Sequence, residues 1–157
     1  DDILYHIIEK GLLSLKADIN AALSKSKDFL SRYYMICTAF RSYQYDSPSS
    51  MDSVIKAKST GFNEKDVPEV INRILSLGDE INQILVSFIE DGIKQKVVRE
   101  DINPMATVYI MWSNITSLLL LAETKEAVIK KQLGMTCSEF LDYSFTQIIN
   151  SLLKEHI

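Results

Sequence analysis

Apolar residues recur along most of the chain at intervals of three and four positions, the spacing that places them on one side of an α-helix. In the first segment this pattern runs from Ile3 to Leu23 and predicts a helix of roughly 22 residues with one buried side. Ser26 is the predicted cap of a second helix, which runs through Tyr45. Pro48 is favoured at a first helical position, so a short third helix is predicted over about 48–59.

The middle of the chain contains the longest predicted helix. Segment 60–66 is the most loop-like part of the sequence and is short enough to be a connection within one domain. Asp66 is the predicted cap of a fourth helix that runs to about Val97. Asn103-Pro104 gives the same cap-and-proline signal and predicts the start of a fifth helix.

Two further helices are predicted near the C-terminal end. A short helix over 125–133 is closed by Gly134, because glycine readily adopts the positive φ that ends a helix. Thr136 and Glu139 have the spacing of a capping box and predict the start of a last helix, whose apolar stripe continues to Ile157. The pattern as a whole predicts an all-α fold of about six to seven helices.

Composition agrees with a globular helical protein. The 157 residues carry a formal net charge of -4 and are 46% hydrophobic, which excludes a disordered chain. Five Gly and three Pro supply too few turns for an all-β sandwich or barrel. A chain of this length can bury one core without disulfides or metals, so a single domain over residues 1–157 is predicted. The acidic balance gives no basic face for holding nucleic acid by itself.

The fifth predicted helix is free of charge from Ile102 to Ala122. A membrane span is one interpretation, but the densely apolar part is only 108–122 and includes Asn114, whereas a span needs about 20 predominantly apolar residues. A helix that is apolar on most sides must be buried on most sides. A second subunit is the simplest cover, and the wide apolar stripe of the last helix indicates that both helices form the association surface.

Catalytic and metal-binding patterns are missing from the sequence. Its two histidines, His6 and His156, form no H-E-x-x-H or E-x-x-H spacing, and no C-x-x-C occurs, so no metal site is predicted. Serine-hydrolase and phosphate-loop motifs are absent too, so we expect neither an enzyme nor a cofactor. Cys37 and Cys137 are interpreted as two reduced, mostly buried thiols, which favours a cytoplasmic location.

Aromatic residues are concentrated in two predicted helices. The second helix is rich in tyrosine and phenylalanine and also has Arg41, and the apolar fifth helix contains Tyr109, Trp112 and Asn114. Small-molecule pockets in helical bundles are usually aromatic with a few oriented polar groups. For any one of these residues, ordinary core packing is the commoner explanation. Arg41 and Asn114 are the sharper candidates, because a buried guanidinium or amide must find hydrogen-bond partners.

Several segments resemble one known family, the tetracycline-repressor-type (TetR) transcription regulators of bacteria. The residues FIEDGI at 88–93 and VREDINP at 98–104 resemble the family's passage from its long central helix into the next helix. The segments 111–118 and 134–141 resemble an apolar helix and the entry to the last helix of its ligand-binding and dimerisation domain. Lys96 and Ser117 depart from the family, since many members have Gly at both places. The start, 1–9, resembles the helix that follows the family's helix-turn-helix.

The resemblance implies an antiparallel helical bundle whose last two long helices form a four-helix-bundle dimer interface. It implies a cytoplasmic transcription regulator, expected to be a repressor, which binds itself as a homodimer and binds a small apolar or aromatic effector. Operator DNA would be bound only by an N-terminal helix-turn-helix missing from this chain. No membrane is expected among its partners. The effector cavity would be bounded by the second, fourth and fifth predicted helices. The ligand-binding candidates are Tyr33, Cys37, Phe40, Arg41, Phe88, Tyr109 and Trp112. The dimerisation candidates are Ile110, Asn114, Leu118, Leu121, Leu141, Phe145, Ile148 and Leu152.

A second hypothesis uses the same apolar surface without a small ligand. In that hypothesis the chain is a helical interaction module that recruits a protein partner through 110–121 and 140–152. The two hypotheses differ in whether a small molecule is bound.

Overall fold

The structure is a computed structural model that describes residues 2–46 and 69–157. Those residues form six helices and no strand, which confirms the all-α prediction. The helices are α1 (Asp2–Lys25), α2 (Phe29–Asp46), α3 (Glu69–Lys94), α4 (Pro104–Thr124), α5 (Glu126–Leu133) and α6 (Cys137–Asn150). The predicted third helix, the connection over 60–66 and the cap at Asp66 lie outside the described residues.

The chain divides into two compact units, Asp1–Leu85 and Val86–Ile157, and the division falls within α3. The prediction of one domain over the whole chain stays a prediction. In the first unit, α1 and α2 are joined by three residues and pack along each other as an antiparallel pair. Arg32 fastens this hairpin, because its guanidinium donates to the carbonyl oxygens of Leu23 (3.0 Å) and Ser26 (2.6 Å) at the end of α1.

Two ion pairs connect α1 with α3 in the first unit. Glu9 pairs with Arg73, and the Lys16 ammonium lies 2.7 Å from the Glu80 carboxylate. In both pairs the partners are separated by 64 positions, so the two helices run parallel to each other. The Arg73 guanidinium beside Glu9 holds the pKa of that carboxyl below its ordinary value.

In the second unit, α4 packs against α6, and the short helix α5 contacts both. Local signals start these helices as predicted: the Asn103 side chain accepts from the Ala106 N–H at 3.0 Å, and Thr136 with Glu139 forms the capping box. Gly134 ends α5 with φ of 66°. These caps were predictable because each needs only residues three or four positions apart.

The start of α2 corrects one prediction. The helix is capped by Asp28, whose carboxylate accepts from the Ser31 N–H at 2.9 Å. The predicted cap, Ser26, lies two residues earlier and accepts from the Asp28 N–H. The hydrogen bonds from Ser31 hold the pKa of Asp28 below its ordinary value.

Two helix ends also differ from the sequence pattern. The long helix α3 ends at Lys94 instead of about Val97, because Lys96 adopts a left-handed φ of 62° and the N–H groups of Val97 and Val98 both donate to the Gly92 oxygen. The last helix, α6, ends at Asn150 instead of continuing to Ile157.

The chain after α6 pairs with the turn between α3 and α4. Val98 and Leu153 form an isolated antiparallel bridge, in which the Arg99 N–H donates to Leu152 and the Lys154 N–H donates to Val97. Both bridge side chains are buried. The apolar residues beyond α6 therefore continue the core in extended form, a change that a helical repeat pattern does not reveal.

Candidate functional site

Helix α4 has a buried side and an exposed apolar side. The buried side consists of Thr107, Val108, Met111, Ile115, Thr116, Leu119 and Ala122. The opposite side exposes large apolar side chains, with the exposed fraction in parentheses: Tyr109 (54%), Ile110 (59%), Leu120 (53%) and Leu121 (42%). Ser113, Asn114 and Ser117 are exposed in the middle of the same helix. Large apolar side chains exposed at both ends of one helix are typical of a surface that binds another molecule. We call Tyr109, Ile110, Leu120 and Leu121 the α4 apolar face.

The buried hydroxyls of α4 are satisfied within the helix. Thr107 donates to the Asn103 oxygen at 2.8 Å, and Thr116 donates to the Trp112 oxygen at 2.7 Å. These side chains therefore need no outside partner, and the buried side of α4 behaves as ordinary core.

The length of α4 changes the argument about membranes. The helix has 21 residues and, among the described residues, is the one helix long and apolar enough to cross a membrane by length and composition. The densely apolar part, 108–122, is thus only a portion of a longer apolar helix. The core helix of a globular protein passes the same test, so one such helix is weak evidence for a membrane span.

The predicted dimerisation residues divide according to exposure. Ile110, Asn114 and Leu121 are exposed on α4, and Leu118 is partly exposed. On α6, Ile148 is partly exposed, and Leu152 lies beyond the end of that helix.

Leu141 and Phe145 correct the prediction, because they are 3% and 4% exposed and belong to the core of the chain. The wide stripe of α6 combines core positions with surface positions. Sequence spacing alone does not separate the two.

Tyr143 is an exposed aromatic residue on α6 that the prediction omitted, and it is 60% exposed.

Four of the predicted ligand-binding residues lie on α2 in the first unit. Tyr33, Cys37 and Phe40 are buried, and Arg41 is partly buried. The Tyr33 ring packs edge-on against Tyr34, with ring centroids 5.3 Å apart. Burial, with the neighbouring Cys37, raises the pKa of the Tyr33 hydroxyl. The buried side of α2 therefore consists of aromatic side chains, Tyr33 and Phe40, together with the Cys37 thiol.

The other three ligand-binding candidates belong to the second unit. Phe88 is buried, Trp112 is partly buried, and Tyr109 is exposed on the α4 apolar face. Tyr109 therefore groups with the association residues and not with the interior. Cys37 and Cys137 are both free thiols, as predicted, although Cys137 is only partly buried.

Among the described residues of the first unit, Tyr43, Gln44 and Asn82 are buried polar side chains that were not chosen as site candidates from the sequence. Gln44 and Asn82 occupy positions in the helical apolar repeat, and a polar residue inside such a repeat was the available signal. In the part of the chain that the structure describes, the Tyr43 hydroxyl and the Asn82 side-chain oxygen have no hydrogen-bond partner. Burial raises the pKa of Tyr43 to about 12.

Within the described ranges, 2–46 and 69–157, no group of three or more His, Cys, Asp or Glu side chains is placed to hold a metal ion.

Comparisons with known proteins inform the fold. No protein-family model matches the chain, and no curated protein sequence does. The chain is similar to a solved structure described as a protein with unknown function from Rhodococcus sp. RHA1, at a TM-score of 0.72 and 12% sequence identity. That similarity covers 96% of this chain and 72% of the other. At this identity the likeness is one of fold alone.

Proposed function

We propose that this chain is the effector-binding and dimerisation part of a bacterial TetR-like transcription regulator, expected to be a repressor. Two copies associate through α4 and α6, and a small apolar or aromatic effector binds within the helical domain. Operator DNA is bound by a helix-turn-helix that precedes residue 1, and the protein acts in the cytoplasm. The proposal rests on the family resemblance of the sequence together with the surface of α4.

The single observation that carries the proposal is the α4 apolar face. The opposite side of the same helix is already packed, so the exposed apolar side chains cannot be satisfied by the core that α4 belongs to. The helix has no charged residue before Glu123, which favours a partner surface that is itself apolar. A second copy of α4 presents such a surface, and two-fold dimers are the commonest assemblies of identical chains.

In the segments that resemble the family, the positions of two helix starts and one turn also support the proposal. The resembling segments 98–104 and 134–141 coincide with the Asn103 cap of α4 and the capping box of α6. Lys96 has a left-handed φ at a place where many family members have Gly. A shared backbone turn explains why both residues occur there, since glycine is the residue that prefers this conformation.

Light scattering coupled to size-exclusion chromatography tests the association. The wild-type chain should elute with twice its monomer mass of 17.9 kDa. The double substitution Ile110→Glu with Leu121→Glu should give a monomer, because it places four like charges in a desolvated interface. A matched control is Ile7→Glu with Leu13→Glu, which changes two exposed apolar residues on α1 and should leave the mass unchanged.

Native mass spectrometry of the purified protein separates the proposal from the alternative interaction module. A dimer with a bound small molecule supports an effector-binding regulator. A monomeric wild-type chain contradicts the dimer in the proposal. A dimer that binds no small molecule, but captures a protein partner through the α4 apolar face, favours the interaction module.

A further inference from the structure

Among the described residues of the first unit, Tyr43, Gln44 and Asn82 carry polar groups on buried side chains, as Tyr33 does. Tyr43, Gln44 and Asn82 are 5%, 7% and 2% exposed. The Tyr43 hydroxyl and the Asn82 oxygen have no hydrogen-bond partner within the described ranges, so they are also not partners of each other. A buried polar group without a partner is destabilising, and most buried polar groups have one, which makes two orphans unusual.

Helix alignment gives the position of Asn82 along α1. The ion pairs Glu9–Arg73 and Lys16–Glu80 both join residues that are 64 positions apart on two parallel helices. If the same separation of 64 positions holds two residues after Lys16, Asn82 on α3 lies level with Asp18 on α1.

The antiparallel pair of α1 and α2 gives the position of Tyr43. The groove between these helices is lined by Ala21 and Ala22 at its centre on α1, and by Thr38 and Ala39 at its centre on α2. One turn further along α2 corresponds to one turn earlier along α1, because the helices run in opposite directions. Tyr43 is therefore level with residues 17 and 18.

Tyr43, its neighbour Gln44 and Asn82 thus occur at one level of the three helices, although they are about 40 residues apart in sequence. We call these three residues the polar layer. It combines a hydroxyl that can donate a hydrogen bond with an amide oxygen that needs to accept one. A molecule with both an acceptor and a donor satisfies the two orphan atoms together.

The side chains around the polar layer indicate whether a bound molecule would be charged or neutral. In the part of the first unit that the structure describes, no buried side chain carries a formal charge. Asp18, the charged residue at this level of α1, is exposed, and Lys16 and Glu80 close by are ion-paired with each other. An unpaired ion would therefore be costly in this interior, whereas a neutral polar group costs little once hydrogen-bonded.

We propose that the polar layer is the recognition site for a small uncharged ligand, which accepts a hydrogen bond from the Tyr43 hydroxyl and donates one to the Asn82 oxygen. The inference rests on the proposed function and specifies its effector as neutral, with an apolar body and an amide-like or similar donor-and-acceptor group. Gln44 contributes a further polar side chain at the same level.

Three probes of one shape test the ligand class by thermal shift. Benzamide is neutral and has both a donor and an acceptor, benzoate is its charged counterpart, and ethylbenzene has neither group. Benzamide should raise the melting temperature of the wild-type chain in a concentration-dependent way. Benzoate and ethylbenzene should have little effect at equal concentration.

Two substitutions connect the shift to the polar layer. Tyr43→Phe and Asn82→Leu should each weaken benzamide binding roughly three- to tenfold, the loss expected for one neutral hydrogen bond. Their matched controls are Tyr45→Phe and Asn72→Leu, the same changes at exposed positions of α2 and α3, which should bind benzamide as the wild type does. Without a ligand, Tyr43→Phe should melt at or above the wild-type temperature, because no hydrogen bond is lost.

Other outcomes overturn the inference. If none of the probes shifts the melting temperature, the layer holds only water, and if benzoate acts as strongly as benzamide, the site is not selective for neutral ligands. A Tyr43→Phe chain that is less stable without ligand would mean that the hydroxyl has a partner within the protein. A monomeric mass in light scattering would instead contradict the proposed function. A dimer that does not bind benzamide would contradict this inference and leave the proposed function unaffected.

Discussion

Lys96 adopts a left-handed backbone conformation that suits glycine better than any residue with a side chain. This conformation ends α3 and lets the following N–H groups reach the Gly92 oxygen. A residue with a Cβ costs roughly 1–2 kcal/mol in this region, partly offset in a glycine substitution by the greater freedom of the unfolded chain.

Lys96→Gly should therefore raise the free energy of unfolding by about 0.5–1 kcal/mol, measured by urea denaturation. Lys94→Gly is the matched control, since the same change at the last residue of α3 should lower the free energy of unfolding, by less than about 1 kcal/mol. Equal effects of the two substitutions would contradict a special role for the turn.

Asp28 gives the start of α2 a dependence on pH. Its pKa in the folded chain lies below the ordinary value of 3.8, because it accepts hydrogen bonds from Ser31. A lowered folded pKa means that the stabilisation is present above that ordinary value and is lost as pH falls through the folded pKa.

The melting temperature should follow this pattern in a comparison of wild type with Asp28→Ala. The wild-type advantage should be full near about pH 6 and should shrink towards about pH 2.5. Asp28→Asn should keep its advantage over Asp28→Ala throughout, because an amide oxygen accepts at every pH. A wild-type advantage that is constant down to the acid limit would show that the carboxylate charge is irrelevant.

At the scale of residues, the sequence predicts a feature correctly when the interactions that produce it lie within a few neighbouring positions. The caps at Asn103 and Thr136 were predictable, since both donor and acceptor lie within one helical turn. Leu141 and Phe145 were assigned to an interface although they belong to the core. Which side of α6 faces the rest of the chain depends on contacts with α4, and no local pattern contains that information.

At the scale of elements, the second unit depends on a short extended segment as well as on helices. Leu153 is 3% exposed and pairs with Val98, which is fully buried in the turn before α4. The sequence pattern assigned Leu153 to the last helix because its spacing also fits a helical stripe. Ser151 keeps helical φ and ψ, but the chain is extended by Leu153, so a helix projection misplaces the apolar residues at this end.

Leu153→Ala should lower the free energy of unfolding by about 2–4 kcal/mol, because it leaves a cavity against Val98. Ile157→Ala is the control, because Ile157 is 60% exposed and its truncation should cost less than about 0.5 kcal/mol. A small effect at both positions would mean that the segment after α6 contributes little to the second unit.

At the scale of the whole molecule, association and stability are linked. If two copies bury the α4 apolar face, the folded state is favoured by mass action. The melting temperature should then rise with protein concentration over about a hundredfold range. The rise should disappear in the Ile110→Glu with Leu121→Glu chain, and its persistence there would place the interface elsewhere.

The candidate site could be predicted only in part from the sequence. The apolar fifth helix and the aromatic second helix were visible, because composition and spacing reveal amphipathic helices. The polar layer was not, because it depends on the alignment of α1 with α3 across 64 positions of sequence. The two ion pairs show that alignment, and nothing in the local sequence pattern pairs Glu9 with Arg73.

Those two ion pairs also limit how α1 can move along α3. Within each helix the paired residues are seven apart, or about 10.5 Å along the axis, and both pairs have the same offset. Sliding α1 by one turn, about 5.4 Å, would break both pairs in the same step. Because the paired side chains are partly exposed, the two ion pairs favour this position of α1 over one shifted by a turn, without fixing it.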